Sequence, residues 1–169
     1  MNFDTTQELV EHLELAVHIE GGYFRETYRA KEVIDTPRGP RNSMTSIYYC
    51  LPSEDFSVWH KVIDAEETFH FHYGDSALIY QIQDRKVTTE ILGPSPLGKQ
   101  TIIMPKNTWF AIRPSGIKSP VPYTLMSCSV VPGFEYEDLE IAAPTLLDEL
   151  DSSEHKLASS LLKKHLTET

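Results

Sequence analysis

Between Trp59 and Asp75 the chain places three histidines, His60, His70 and His72, and the acids Asp64, Glu66 and Glu67 around a tight turn joining two strand-like runs. Across such a turn a histidine of one strand converges with a carboxylate of the next. Imidazole titrates near neutrality, and a carboxylate partner sets its tautomer and holds it basic. The same pair could give two ligands to a divalent metal. His60 and Glu67 are the candidates for this work, and Glu66 reads as a solvated neighbour. In a regular strand Glu67 and His70 point to opposite faces, with His72 beside His70. A bulge at the turn would bring His70 into the site as a third member.

The elements that must position these groups are short. Leu9, Val10, Leu13 and Ala16 follow a capping-box pattern at Thr5–Glu8, which predicts one amphipathic helix. Strand-like runs then cover 23–29, 45–51, 58–63, 68–73, 77–83, 86–92, 101–104, 108–112 and 123–131, separated by Gly, Pro and Asp-rich turns. Residues 31–42, with Pro37, Gly39 and Pro40, read as a loop. Many short strands at roughly 8–12-residue spacing predict a sandwich or closed barrel. A second capping-box pattern at Asp151–Glu154 and a stripe of Leu157, Leu161, Leu162 and Leu166 predict a helix over about 152–166, packed on the barrel or on a partner.

A chain of 169 residues fits one domain, with the barrel over about 20–140. The net charge of −10 repels phosphate backbones, so no nucleic-acid partner is expected. No stretch approaches the roughly 20 apolar residues of a membrane span, and Met1–Leu15 has no apolar segment of a signal peptide. A cytoplasmic protein is expected, with Cys50 and Cys128 as buried thiols.

In this register the Trp59–Asp75 stretch resembles the first motif of the cupin superfamily: G, five residues, H-x-H, three or four residues, E, six residues, G. His60, Glu67 and Gly74 fall into place, and the second motif, P-x-G-x-x-H, lies over Pro105–Phe110. Glu54 stands for the opening glycine, Val62 for the second histidine and Phe110 for the last. The family's metal set of three histidines and a glutamate is thus cut to His60 and Glu67. Glu20–Arg29, Thr45–Tyr49 and Pro132–Glu135 narrow the likeness to short proteins called the fifth cupin family, over about Leu9 to Leu139. This resemblance implies an all-β, double-stranded β-helix (jelly-roll) barrel with a short helix at each end, a homodimer and a polar pocket. The barrel is also similar to that of nucleotide-sugar epimerases, which use metal-free acid–base chemistry.

The expected site follows. His60, Glu67 and His70 are the catalytic candidates. Arg25, beside the Gly21-Gly22 turn, would hold an anionic group and Thr27 would offer a hydroxyl. Tyr48 and Trp109 would form aromatic walls. No tightly held metal is expected; a weakly bound divalent ion would sit on His60, Glu67 and His70. The first expected function is a metal-independent isomerase or epimerase acting on a small polar, sugar- or nucleotide-like molecule. The alternatives are a non-catalytic ligand-binding or sensing protein and a weakly metal-dependent enzyme.

Overall fold

A computed structural model of the protein describes residues 3–116 and 119–162. Helix α1 (Thr6–His12) begins where the capping box predicts: Thr5 Oγ1 accepts the Glu8 N–H at 3.2 Å and the Glu8 carboxylate accepts the Thr5 N–H at 3.1 Å. Strands β1–β13 follow in chain order and form two facing sheets and a hairpin. The first sheet runs β1 (Ala16–Val17), β2 (Tyr23–Arg29), β5 (Thr45–Pro52), β12 (Tyr123–Val131), β7 (Glu66–Gly74) and β10 (Thr101–Met104). The second runs β13 (Leu139–Ile141), β6 (Ser57–Val62), β11 (Phe110–Pro114), β8 (Ala77–Gln83) and β9 (Lys86–Leu92). All pairings within them are antiparallel, and the two sheets close on each other as a jelly-roll barrel.

Alternation decides what fills the barrel. From the first sheet Tyr49, Leu51, Phe69, Met126 and Val130 point inward, and from the second Val62, Ile79, Leu92, Phe110 and Ile112 meet them. Each large apolar side chain so buried contributes about 1.5–3 kcal/mol. A second cluster lies outside the second sheet. There Trp59 packs with Leu146, Leu150, Ala158 and Leu161, and its indole N–H donates to the Ala158 carbonyl at 2.9 Å.

The C-terminal helix therefore packs on the barrel. It is shorter than the stripe predicts: α2 spans His155–Ser159, and Leu166 lies outside the described residues. The predicted second capping box does not form. Glu154 has helical backbone angles and accepts the Val87 N–H instead, while Asp151 pairs with Arg85 at 3.2 Å. The 31–42 segment is a hairpin, not a loop: β3 (Val33–Thr36) pairs with β4 (Gly39–Asn42). Arg38 and Arg41 of that hairpin clamp the buried Asp138 at 2.6 and 2.8 Å.

Two bulges break the alternation where it matters. On β2, Glu26 faces Ile47 and Tyr28 faces Ser46, so Thr27 is an extra residue. On β6, Phe110 faces His60 and Ile112 faces Ser57, so three steps on β6 match two on β11. One inserted residue flips the parity, which lets residues three apart share the inner face.

Gly74 ends β7 with φ +98°, and a Cβ there would lie 2.1 Å from the Tyr123 carbonyl oxygen. Gly74→Ala is expected to lower unfolding free energy by at least about 2 kcal/mol, since left-handed strain and a backbone clash add. Urea denaturation gives the test; a loss under about 0.5 kcal/mol would contradict this account of the turn.

Candidate active site

The barrel encloses a cavity of about 100 Å³ between the sheets, with His60 and Glu67 on its wall. The β6 bulge sets the local chemistry. It faces Ser57 and His60 inward together and turns the Val58 carbonyl toward the imidazole, so that His60 Nδ1 donates to Val58 O at 2.7 Å. Val58 is held in turn by its N–H bond to the Glu20 carbonyl at 2.9 Å. With Nδ1 carrying hydrogen, Nε2 presents its lone pair, and it meets Glu20 Oε2 at 3.2 Å. A hydrogen bond across that contact requires one proton between the two atoms. Ser57 Oγ donates to the same Glu20 oxygen at 3.3 Å.

Burial favours the neutral form of each group. Desolvation lifts the Glu20 carboxyl to about 7 against the pull of His18 and Ser57. Desolvation also lowers His60, opposed by Glu67 and by the Val58 hydrogen bond. When Glu20 is protonated, the contact sets a carboxylic acid against a neutral imidazole, with no net charge to bury. His18 adds a further ring: its Nδ1 accepts the Glu20 backbone N–H at 3.3 Å and lies 3.6 Å from Glu20 Oε2. Burial lowers its basicity as well. The Gly21-Gly22 turn delivers both His18 and Glu20. A Cβ on Gly21, at φ +117°, would lie 2.1 Å from the Phe56 carbonyl oxygen.

Glu67 stands apart from this pair. It shares the cavity with His60, but its hydrogen bond comes from the Cys128 thiol, at 3.6 Å. Desolvation raises it too to about 7, with His60 opposing and Glu20 reinforcing. At the mouth, the β2 bulge puts Glu26 and Arg29 on the cavity wall with Glu135 opposite. Arg29 donates to both Glu26 oxygens, to Glu135, to Asn42 Oδ1 and to the Phe134 carbonyl.

The other expected site residues lie outside the cavity, each for a reason of parity. His70 is on the outer face of β7, hydrogen-bonded to Thr101 at 3.1 Å, because β7 is regular from Glu67 to His70. His72 is on that outer side as well, edge-on to Tyr48. Arg25 points outward, pairs with Glu14 at 3.1 Å and lies over the Tyr48 ring. Tyr48 is therefore an outer residue, and its neighbour Tyr49 lines the cavity. Thr27 is the exposed bulge residue, bonded to the Ser46 carbonyl. Trp109 lies outside the second sheet under the Lys61 ammonium, at 4.7 Å, because Phe110 takes the inner position. His18, Glu20, Glu26, Arg29 and Glu135 were not among the expected site residues.

A jelly-roll barrel closed around a pocket of buried titratable groups is the architecture of a cupin. The chain belongs to the family described as Cupin superfamily (DUF985), which matches residues 7–142. It is similar to the solved structure of a Shewanella oneidensis protein, 26% identical with a TM-score of 0.83, over 96% of this chain and 100% of that one. A Leishmania major protein is 24% identical with a TM-score of 0.85, over 95% and 99%. The capsular polysaccharide assembling protein CapF from Staphylococcus aureus shares the fold at 15% identity and a TM-score of 0.54, over 75% of this chain and 33% of that one. No curated protein matches the chain. No helix among the described residues is long and apolar enough to cross a membrane.

The metal site of the superfamily does not fit here. Val62 and Phe110, at two of its ligand positions, are packed in the apolar core, and the Phe110 ring lies 4.1 Å from that of His60. Both nitrogens of His60 are engaged by protein groups, and His70 is on the far side of β7. Among the described residues no three His, Cys, Asp or Glu side chains are grouped to hold a metal ion.

The raised Glu67 carboxyl has a signature in stability. The folded protein holds this proton more tightly than the unfolded chain, so the group stabilises the fold below its ordinary value of 4.5. That contribution is lost as pH rises through about 7. Glutamine does not titrate, so the Tm of Glu67→Gln minus that of the wild type should climb from pH 4.5 to about 7 and then level off. Thermal melts across that range decide it; a flat difference would show that Glu67 is not a buried acid.

Proposed function

We propose that the protein is a metal-independent proton-transfer enzyme of the isomerase or epimerase type, acting on a small polar molecule held inside the barrel. The observation that carries this reading is the His60 Nε2–Glu20 Oε2 contact of 3.2 Å, in which the Nδ1–H bond to the Val58 carbonyl leaves Nε2 to accept a proton. Carboxyls with pKa near working pH serve as acids and bases alike, and Glu20 and Glu67 both sit at about 7. In the deprotonated state Glu20 takes a proton from a substrate carbon and the electron pair of the broken C–H bond remains on the substrate. The proton passes to His60 Nε2, whose positive charge is shared through Nδ1–H with Val58 O. Protonated Glu67 returns a proton to the substrate at the same or a neighbouring carbon, and solvent then takes the proton held on His60 and returns one to Glu67.

Deuterium reports this chemistry without a known substrate. Protein treated with a chelator is incubated in D2O with a whole small-molecule extract, and mass spectrometry finds any compound that gains carbon-bound deuterium. The expected result is exchange in one or a few compounds, slowed about 10²–10⁴-fold by Glu20→Gln and by His60→Gln. Exchange in none, exchange abolished by the chelator, or exchange at unchanged rate in both variants would reject the reading.

A further inference from the structure

The notable property of the pocket is its charge. Arg29 is the cation on its wall, and all five of its N–H donors are committed to protein acceptors: two to Glu26, one each to Glu135, Asn42 and the Phe134 carbonyl. It has no donor to offer an anionic ligand. Its two carboxylate partners also outnumber it, which leaves the mouth net negative. Deeper in, Glu67 is 8% exposed, yet its protein hydrogen bond among the described residues is the weak one from the Cys128 thiol. A carboxyl so buried is costly unless paired, and the side of it that faces the cavity has no protein donor. Much of the remaining wall is apolar, with the rings of Phe24, Phe69 and Phe134 beside Ile47, Ile112 and Val130. The whole chain, at −10, adds a field of the same sign.

From this geometry we infer that the pocket takes a small organic cation, a ligand bearing an ammonium group, with the nitrogen seated between Glu67 and the aromatic walls. A carboxylate and ring faces are together the recognition chemistry of an amine or quaternary ammonium. A phosphorylated or nucleotide-like ligand is disfavoured, because the Arg29 guanidinium has no N–H left to pair with phosphate. The inference deepens the proton-transfer reading by naming its substrate class, and it rests on that reading for the word substrate; binding itself does not. With an ammonium seated, Glu67 is the carboxylate that holds it, and the returning proton comes from His60 through Glu20. Groups facing Glu67 are His60 from β6, Cys128 from β12 and Glu20 from the turn before β2. None is a cation at neutral pH, since burial favours the neutral form of His60. An ammonium ligand therefore draws a proton off Glu67 as it binds. Affinity should rise up to about tenfold per pH unit below about 7 and flatten above.

The test uses ethylammonium, ethanolamine and choline against inorganic phosphate and acetate, followed by amide shifts of Glu67, Phe69 and Cys128 at pH 6, 7 and 8. Saturable shifts are expected with at least one ammonium probe, tightening with pH, at least tenfold weaker in Glu67→Gln, and absent with either anion. Three results overturn the inference. They are no saturable response to any ammonium probe, an anion that saturates the same signals at lower concentration, or an ammonium response unaltered by Glu67→Gln. Deuterium exchange reads proton transfer whatever the ligand's charge, so either idea can fail while the other stands.

Discussion

A backbone carbonyl buried against an imidazole decides which ring nitrogen carries hydrogen, and at His60 that carbonyl belongs to Val58. The decision is made by an extra residue in β6, which turns a carbonyl inward that a regular ladder would direct to a neighbouring strand. Everything else in the pocket follows from it. Nε2 is left as an acceptor facing Glu20, and the buried pair carries no net charge whenever Glu20 is protonated. A straight β6 would separate Ser57 from His60 and leave the imidazole free to rotate its chemistry.

Glu67 shows the opposite solution to burial. It is not tied to a strong donor; burial favours its neutral form, and its hydrogen bond comes from a thiol. Two carboxyls of similar acidity thus sit in one cavity in different circumstances, one proton-sharing and one waiting for a partner. Arg29, which could have neutralised such a pocket, is instead a cross-link of its mouth, tying β2 to the segment that follows β12.

The barrel was legible in the sequence because turn residues punctuate nearly every strand, and alternation within each run did the rest. His60 and Glu67 were legible because their spacing survives in a motif. The errors share one cause. Arg25, Tyr48 and Trp109 lie on or beside strands that do line the barrel but on their outer faces, and nothing in the sequence says which of Tyr48 and Tyr49, or Trp109 and Phe110, turns inward. Thr27 as an inserted residue then moved Arg29 inward, a shift that periodicity cannot foresee. Glu20 and His18 lie far from His60 in sequence and carry no spacing signal; the two glycines after Glu20, whose tight turn only glycine fits, were the available hint.

β6 has two working sides. Inward it presents His60, and outward it presents Trp59, whose indole holds the carbonyl of Ala158 while its backbone N–H holds that of Leu161. The 158–161 segment is thus a splint laid along the back of the strand that carries His60. Adjacent residues on one backbone cannot move independently, so loosening the splint would blur the tautomer in front of it. A truncation that removes Ala158 and Leu161 would release the back of a strand whose other side faces the cavity.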